Sequence, residues 1–185
     1  VEKVEPDTTC FAFVGDSTFF ASAITGVVNA VYNQANMVLI VLDNSTTAMT
    51  GHQPHPGTGR TVMGEIVQKI NIEQVLRGIG VTEIETINPL ELEASVSCVK
   101  RMAEKSGVRA IIFKAPCIAV TKPKAPLHVD QDSCIGCKKC IRDLGCPAIV
   151  MNDGKICIDA SMCTGCHLCS QVCPVCAIAG GDDHE

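Results

Sequence analysis

The stretch Cys134–Val150 reads CIGCKKCIRDLGCPAIV and contains four cysteines, the last of which precedes a proline. The first three, Cys134, Cys137 and Cys140, are separated by two residues each, a spacing typical of iron–sulfur ligands. The fourth, Cys146, follows after five residues, where bacterial runs of this kind leave three. The stretch therefore predicts a cluster-binding domain in which one ligand has moved.

A second stretch, from Cys163 to Gly180, reads CTGCHLCSQVCPVCAIAG and has the ordinary spacing. A shift of 29 positions places the first three cysteines of one run on those of the other, and it also places Ala148-Ile149 on Ala177-Ile178. The register is therefore retained through an internal repeat, and only the Cys-Pro pair has moved. Gly145 precedes Cys146 and can take the turn that re-aims this ligand.

In two-cluster ferredoxins the fourth cysteine of each run binds the other cluster. We therefore expect a small α+β, bacterial-type ferredoxin domain over residues 127–180 that holds two 4Fe-4S clusters. The expected ligands of one cluster are Cys134, Cys137, Cys140 and Cys173. The expected ligands of the other are Cys163, Cys166, Cys169 and Cys146. Two alternatives stay open: structural zinc at the CxxC pairs, and a second cluster whose fourth iron is loosely held.

The composition excludes several classes of protein. The net charge is −5, basic residues are spread thinly, and aromatic residues make up 3% of the chain, so nucleic-acid binding is not indicated. No apolar run approaches the roughly 20 residues of a membrane span, and we expect a cytoplasmic protein. Five cysteines outside the two quartets are predicted to be packing residues, because free cysteine behaves as a small hydrophobe. They are Cys10, Cys98, Cys117, Cys157 and Cys176.

Residues 1–114 alternate short apolar runs with amphipathic ones, the pattern of an α/β domain with a parallel sheet. Two buried strands are predicted, reading CFAFVG up to Gly15 and MVLIVLDN, and two further strands read EIETI and VRAIIFKA. The helix after the first strand is expected to bury Phe20, Ile24, Val27 and Val31. A later helix is expected to start at Asn88-Pro89 and to bury Leu92, Val96, Val99 and Ala103. A proline-containing linker at 115–126 leads to the ferredoxin domain, and residues 181–185 form a tail.

Polar residues follow the first two predicted strands, at Gly15–Ser17 and at Asp43–Ser45. Parallel strands joined by one crossover end at the same edge of a sheet, so Asp16 and Asn44 can meet there. Carboxylate and amide oxygens suit Mg²⁺, which also takes phosphate oxygens and water. The start of the following helix offers free amide groups to the same phosphate, and Gly15 lets the backbone come close.

The segment GDS at 15–17, followed by 26 residues and then Asn44, resembles the thiamine diphosphate fingerprint, with Ser17 in place of a glycine. Together with TTAMTGHQPHPGTG and the ferredoxin repeat, it makes the chain resemble the 2-oxoacid:ferredoxin oxidoreductases. The similarity is to the carboxyl-terminal part of the indolepyruvate ferredoxin oxidoreductase alpha subunits. This resemblance implies that Asp16, Asn44 and the carbonyl of Thr46 bind the metal.

The resemblance also implies the reaction and the partners. The expected reaction is oxidative decarboxylation of an arylpyruvate such as indolepyruvate to an aryl-acetyl-CoA, with coenzyme A as acceptor and electrons passing through both clusters to an external ferredoxin. A beta subunit and the rest of the alpha subunit are expected partners, since a pyrimidine-binding domain and its activating glutamate have no candidate here. The alternatives are an electron-transfer domain without its own catalytic site and a non-redox thiamine decarboxylase.

No catalytic acid or base is identified by the sequence. His52 and His55, in GHQPHPG just past the predicted metal loop, are candidates to contact substrate, and a role in capping this Pro/Gly loop is equally compatible with the pattern. His128, His167 and His184 are predicted to be structural or on the surface.

Overall fold

The computed structural model describes residues 8–122 and 124–180. His184 and the tail predicted at 181–185 lie outside the described residues. The chain divides into two compact units, Val1–Val120 and Thr121–Glu185, each of which is described by itself below.

The first unit is built on a four-stranded parallel sheet, as predicted. The strands have the spatial order β1-β2-β4-β3. Their bounds are Cys10–Gly15 for β1, Met37–Asp43 for β2, Glu83–Ile87 for β3 and Val108–Lys114 for β4. The two central strands are the most completely buried, which explains why they read as continuous apolar runs in the sequence. Strand β1 lies at an edge of the sheet and exposes Phe11 and Phe13, so its predicted burial is wrong.

Helices cover both faces of this sheet. The chain leaves β1 through a helical turn, α1, and a π-helical turn before the longer helix α2. The helical bounds are Asp16–Thr18 (α1), Phe19–Ala23 (π), Ile24–Tyr32 (α2), Ile72–Ile79 (α3) and Leu92–Glu104 (α4). Helices α2 and α3 pack on one face of the sheet in a core that includes Val27 and Leu76, and α4 packs on the other face with Cys98 and Met102. The predicted α/β layer structure is therefore confirmed.

The π-helical turn changes which phenylalanine faces the core. The regular helical pattern places Phe20 on the buried face, but Phe19 is the residue with no exposed surface, and Phe20 is only partly buried. A π turn takes more residues per turn than an α-helix, so it rotates the residues before it relative to those after it. Val27 lies after this turn and is buried as predicted.

The start and the buried stripe of α4 differ from the prediction. Asn88 forms a turn instead of capping the helix directly: its Oδ1 accepts a hydrogen bond from Leu90 N at 3.0 Å, and α4 begins only at Leu92. Val96 is 44% exposed, so its predicted burial is wrong. The helix buries Ser95, Cys98 and Met102, and the Ser95 hydroxyl satisfies its hydrogen bond by donating to the carbonyl of Asn88 at 3.3 Å.

The second unit shows the internal repeat as two matching halves. Each half consists of a strand, a short helix and a strand, and every element of the first half recurs 29 positions later with nearly the same bounds. The halves are β5 (Leu127–Val129), α5 (Lys139–Leu144) and β6 (Ile149–Asn152), then β7 (Lys155–Ile158), α6 (Leu168–Val172) and β8 (Ile178–Gly180). Strand β5 pairs with β8 and β6 pairs with β7, both antiparallel.

Backbone angles also repeat between the halves. Gly136 and Gly165 have φ values of 65° and 66°, and Lys138 and His167 both have a φ of 61°. This equality supports a ferredoxin-like fold with two equivalent halves. Within the described ranges of both units, no helix has the length and apolar character needed to cross a membrane.

Candidate functional site

The loops that follow β1 and β2 meet at one edge of the first unit's sheet. These strands are parallel neighbours, with Gly15 in register with Leu42. The loops that follow them therefore leave the sheet at the same level. Asp16 is 2% exposed, and its two carboxylate oxygens accept hydrogen bonds from different loops. Oδ1 accepts from Ser17 N at 2.8 Å, and Oδ2 accepts from Ser45 N at 2.8 Å. The structure therefore brings Asp16 onto the loop that contains Asn44.

Further hydrogen bonds fix the loop after β2. The Asn44 Oδ1 accepts from Thr46 N at 3.2 Å, and the Asn44 carbonyl accepts from Cys117 N at 2.9 Å. The hydroxyl of Ser17, which stands where the fingerprint has glycine, accepts from Thr47 Oγ1 at 2.9 Å. Ser45 has a φ of 62°, a left-handed conformation that costs a non-glycine residue of order 1–3 kcal/mol and persists only where surroundings enforce it. These contacts hold the loop in one conformation beside Asp16.

The two candidate histidines lie in different environments. His52 is exposed in a turn, where its amide donates to the Thr47 carbonyl at 3.0 Å. His55 is 8% exposed, and its Nε2 lies 3.1 Å from Asp16 Oδ2, although the angle at this contact is poor for a hydrogen bond. The His55 Nδ1 accepts from Gly57 N at 3.2 Å, and its ring stacks on Phe20 with centroids 5.8 Å apart. Of the two, only His55 contacts the Asp16 carboxylate.

A cavity of about 310 Å³ adjoins this site. It lies at the carboxyl ends of β2, β3 and β4 and at the start of α3, and it is lined in part by His55, Lys69 and Asn71. Asp43 also lines the cavity and pairs with Lys114, whose Nζ is 3.3 Å from Asp43 Oδ2. The cavity therefore presents both signs of charge beside the loops that follow β1 and β2.

The residues at this edge fit a Mg²⁺ ion that carries a diphosphate. Asp16, Asn44 and the Thr46 carbonyl are hard oxygen donors of the kind that Mg²⁺ takes. A Cβ on Gly15 would meet no atom within 4 Å, so the backbone there faces open space that a phosphate can enter. The buried His55 Nε2 has no hydrogen-bond partner among the described residues and lies 3.1 Å from the carboxylate of Asp16.

The structure sorts the eight predicted cluster ligands into two groups. Four cysteines line one apolar cavity in the second unit: Cys134, Cys137, Cys140 and Cys173. In the other group, burial raises the pKa of Cys169 to about 11, and the nearby thiols of Cys166, Cys163 and Cys146 raise it as well. Burial likewise raises the pKa of Cys140, with smaller contributions from Cys137 and Cys173. The fourth cysteine of each run thus lies with the other run's first three.

The thiols of each group are spread apart. Among residues 8–122 and 124–180, no three His, Cys, Asp or Glu side chains are arranged to hold a single metal ion. A 4Fe-4S cluster has one iron for each thiolate, so its ligands surround a volume instead of converging on a point.

The displaced Cys146 has a local explanation. Gly145 follows the last residue of helix α5 and caps its end. Its φ is 58°, and its amide donates to the Ile141 carbonyl at 3.0 Å. In the second half, α6 is one residue shorter and Cys173 follows it directly. The left-handed turn at Gly145 therefore delivers the next residue, Cys146, to the other group of thiols.

The cysteines outside the quartets lie in three kinds of environment. Cys98, on α4, is fully buried between this helix and the sheet, in agreement with the packing prediction. Cys176 is exposed and has a φ of 52°, so the prediction that it packs in the core is wrong. The other three are partly buried: Cys10, Cys117 and Cys157.

Comparisons with known proteins agree with the description of both units. The family described as the thiamine pyrophosphate enzyme C-terminal TPP binding domain matches residues 1–113, and the 4Fe-4S dicluster domain family matches residues 127–174. The cofactors are therefore thiamine diphosphate and two 4Fe-4S clusters, as predicted.

Curated relatives are named indolepyruvate oxidoreductase subunit IorA. That of Methanothermobacter thermautotrophicus is 45% identical over 169 residues, covering 90% of this chain and 27% of the relative. That of Methanothermobacter marburgensis is 43% identical with the same coverage, and that of Archaeoglobus fulgidus is 40% identical over 90% of this chain and 28% of the relative. The chain thus spans about a quarter of the length of these relatives.

A solved structure from Mycobacterium smegmatis, described provisionally as a thiamin diphosphate-dependent enzyme, is 19% identical and superposes with a TM-score of 0.44. The superposition covers 63% of this chain and 20% of the solved chain. The family match over residues 1–113 and the named relatives confirm the predicted resemblance. The chain belongs to the thiamine pyrophosphate enzymes, of which it carries the C-terminal TPP-binding domain.

Proposed function

We propose that the protein containing this chain is a 2-oxoacid:ferredoxin oxidoreductase that decarboxylates arylpyruvates such as indolepyruvate and forms aryl-acetyl-CoA. The observation that carries this proposal is the presence of a thiamine diphosphate domain and a dicluster domain in one chain. When bound, thiamine diphosphate supplies the carbanion chemistry that releases carbon dioxide from a 2-oxo acid. The choice of an arylpyruvate is supported by the names of the relatives.

In this proposal the loops after β1 and β2 bind the diphosphate through Mg²⁺. Asp16, Asn44 and the Thr46 carbonyl are the metal ligands. Gly15 allows the phosphate to approach the backbone, and Ser17 holds the two loops together through its contact with Thr47. Support comes from the burial of Asp16 and from its hydrogen bond to Ser45 N in the other loop.

The second unit carries the electrons in the same proposal. Each cluster accepts one electron at a time, so two clusters match a reaction that releases two. Cys134, Cys137, Cys140 and Cys173 bind one cluster. Cys163, Cys166, Cys169 and Cys146 bind the other. The grouping of the thiols described above supports this assignment.

The proposal requires partners. An external ferredoxin accepts the electrons and coenzyme A accepts the acyl group. The aminopyrimidine of the cofactor and its activating carboxylate are assigned to the rest of the alpha subunit and a beta subunit. Thiolate ligands and iron–sulfur clusters persist in a reducing compartment, which favours the cytoplasm.

The proposal is tested with the assembled enzyme, by following anaerobic release of carbon dioxide from indolepyruvate together with reduction of ferredoxin. The expected result is turnover that depends on both coenzyme A and ferredoxin. Reduction of the clusters by dithionite without any decarboxylation would favour the alternative of an electron-transfer domain without a catalytic site. Carbon dioxide release that is independent of ferredoxin would favour a non-redox decarboxylase.

A further inference from the structure

The His55 side chain is held rigidly at the edge of the proposed metal site. It is 4% exposed, it stacks on Phe20, and its Nδ1 accepts a hydrogen bond from Gly57 N at 3.2 Å. A Cβ on Gly57 would lie 3.0 Å from His55 Cε1 and 3.0 Å from Phe20 Cε2, so the loop leaves no space beside the ring. The imidazole therefore has little freedom to rotate.

The contact from Gly57 assigns the tautomer of this histidine. Because the Gly57 amide donates to Nδ1, that nitrogen carries no proton, and the proton of the neutral ring is on Nε2. A buried N–H group without an acceptor is energetically unfavourable, so this proton needs an acceptor. Asp16 Oδ2 lies 3.1 Å from Nε2. This contact becomes a hydrogen bond only when the two side chains reorient relative to each other.

The donors around Asp16 leave room for one metal bond. A carboxylate has about four lone-pair positions. Ser17 N occupies one and Ser45 N another. If His55 Nε2 occupies a third, the carboxylate is fixed in one orientation and a single position remains. Ligating carboxylates in metal sites are commonly held by outer hydrogen bonds of this kind, and loss of such a partner lowers metal affinity about 10- to 100-fold.

We propose that His55 is a positioning residue of the metal–diphosphate site, whose Nε2–H orients the Asp16 carboxylate for Mg²⁺. The inference rests on the proposed role of Asp16 as a metal ligand. His55 acts through its hydrogen bond alone and does not exchange a proton during the reaction. Phe20, placed by the π-helical turn after Asp16, stacks on the ring.

The test uses two substitutions that separate the nitrogens of the ring. The amide nitrogen of glutamine reaches the place of Nε2, so His55→Gln keeps the donor to Asp16. Asparagine reaches only the place of Nδ1, so His55→Asn loses that donor. The measurement is the Mg²⁺ concentration at which the assembled enzyme retains half of its thiamine diphosphate after gel filtration, with Mn²⁺ binding followed by EPR as a second readout.

We expect His55→Asn to raise this Mg²⁺ concentration about 10- to 100-fold, and His55→Gln to stay within about three-fold of the original enzyme. Gly57→Ala, which displaces the ring without changing it, should shift the concentration in the same direction as His55→Asn. Iron content and the melting temperature of the apoenzyme show whether each variant folds. If His55→Asn fails to fold, the contrast between His55→Gln and Gly57→Ala decides the question.

An unchanged Mg²⁺ requirement in folded His55→Asn would overturn the inference. Equal losses in His55→Asn and His55→Gln would also overturn it, because they would show that ring packing matters and the donor does not. An Asp16→Ala arm separates this inference from the proposed function. If Asp16→Ala retains cofactor and metal, the proposed site itself is wrong, whereas loss in Asp16→Ala with an unaffected His55→Asn refutes only the role of His55.

Discussion

Replacing Asp16 by asparagine removes one negative charge from the proposed metal site while keeping the size of the side chain. Both oxygens of Asp16 accept backbone hydrogen bonds, from Ser17 N and Ser45 N, each at 2.8 Å. An amide has one oxygen and one NH₂ group. One of the two backbone donors must therefore face the NH₂ group, whichever way the amide is turned.

The expected cost has two separate parts. Hydrogen bonds to a charged group contribute about 1.5–3 kcal/mol each, so the loss of one should lower the free energy of unfolding of the first unit by about that amount. The metal also loses its only anionic side-chain ligand in the proposed set. This loss should exceed the 10- to 100-fold effect of an outer hydrogen bond, so we expect the Mg²⁺ requirement to rise by more than about 100-fold.

The assay compares the thiamine diphosphate and iron contents of the assembled enzyme after gel filtration. Asp43→Asn is the matched control, because Asp43 also accepts from Ser45 N, at 3.0 Å, but is not in the proposed ligand set. Asp43 is not assigned to the metal, and its ion-pair partner Lys114 is exposed, so this variant should keep its cofactor. Asp16→Asn with normal cofactor content, or equal loss in both variants, would refute the assignment of Asp16.

Three further predictions concern the second unit and the isolated chain. Cys146→Ser should alter one of the two reduced-state EPR signals and leave the other, and no change in either signal or in iron content would exclude Cys146 as a ligand. Gly165→Ala should destabilise the second unit far more than Gly136→Ala in urea titrations followed by cluster absorbance. Both glycines have left-handed φ values, which cost alanine about 1–2 kcal/mol. The two sites differ in their surroundings: a Cβ at Gly165 would lie 2.6 Å from the carbonyl oxygen of Ala125, whereas a Cβ at Gly136 would meet no atom within 4 Å. Equal effects of the two changes would contradict this reasoning. The isolated chain can be reconstituted with iron, sulfide, Mg²⁺ and thiamine diphosphate. We expect dithionite to reduce its clusters but no release of carbon dioxide from indolepyruvate, since only one half of the cofactor site can be assigned to this chain. Turnover by this chain alone would show that the other half of the site is present in it.

The central strands could be predicted because β2 and β4 are continuous apolar runs that are buried in the sheet. The edge strand β1 is equally apolar in sequence, but its exposure depends on its place in the sheet, which composition does not show. Helix α3 was not anticipated, although it has recognisable ends. Asn71 caps it by accepting from Gln74 N at 3.0 Å, and Gly80 follows its last residue with a φ of 109°. The buried face of the helix after β1 differs from the prediction because a regular helical pattern does not include the π turn. The start of α4 differs because Asn88 forms a local turn with Leu90 N instead of capping the helix.

The site was predictable to the extent that it depends on sequence spacing. The distance from Asp16 to Asn44 and the 29-residue repeat identify side chains that the fold brings together. The role of His55 was not predictable, because it depends on contacts with Phe20 and Gly57 that form only when the loop folds back on α1 and the π turn. His52, three residues earlier in the same motif, has similar sequence surroundings and lies in an exposed turn.

The central claim is that the thiamine diphosphate site and the clusters work in one reaction, and anaerobic rapid mixing of the oxidised, assembled enzyme with indolepyruvate tests it most directly. With coenzyme A present and ferredoxin absent, we expect the visible 4Fe-4S absorbance to bleach and reduced-cluster EPR signals to appear. The same enzyme stripped of Mg²⁺ and thiamine diphosphate should show no bleaching, although dithionite should still reduce its clusters. Carbon dioxide release without cluster reduction, or cluster reduction by indolepyruvate in the stripped enzyme, would contradict the account.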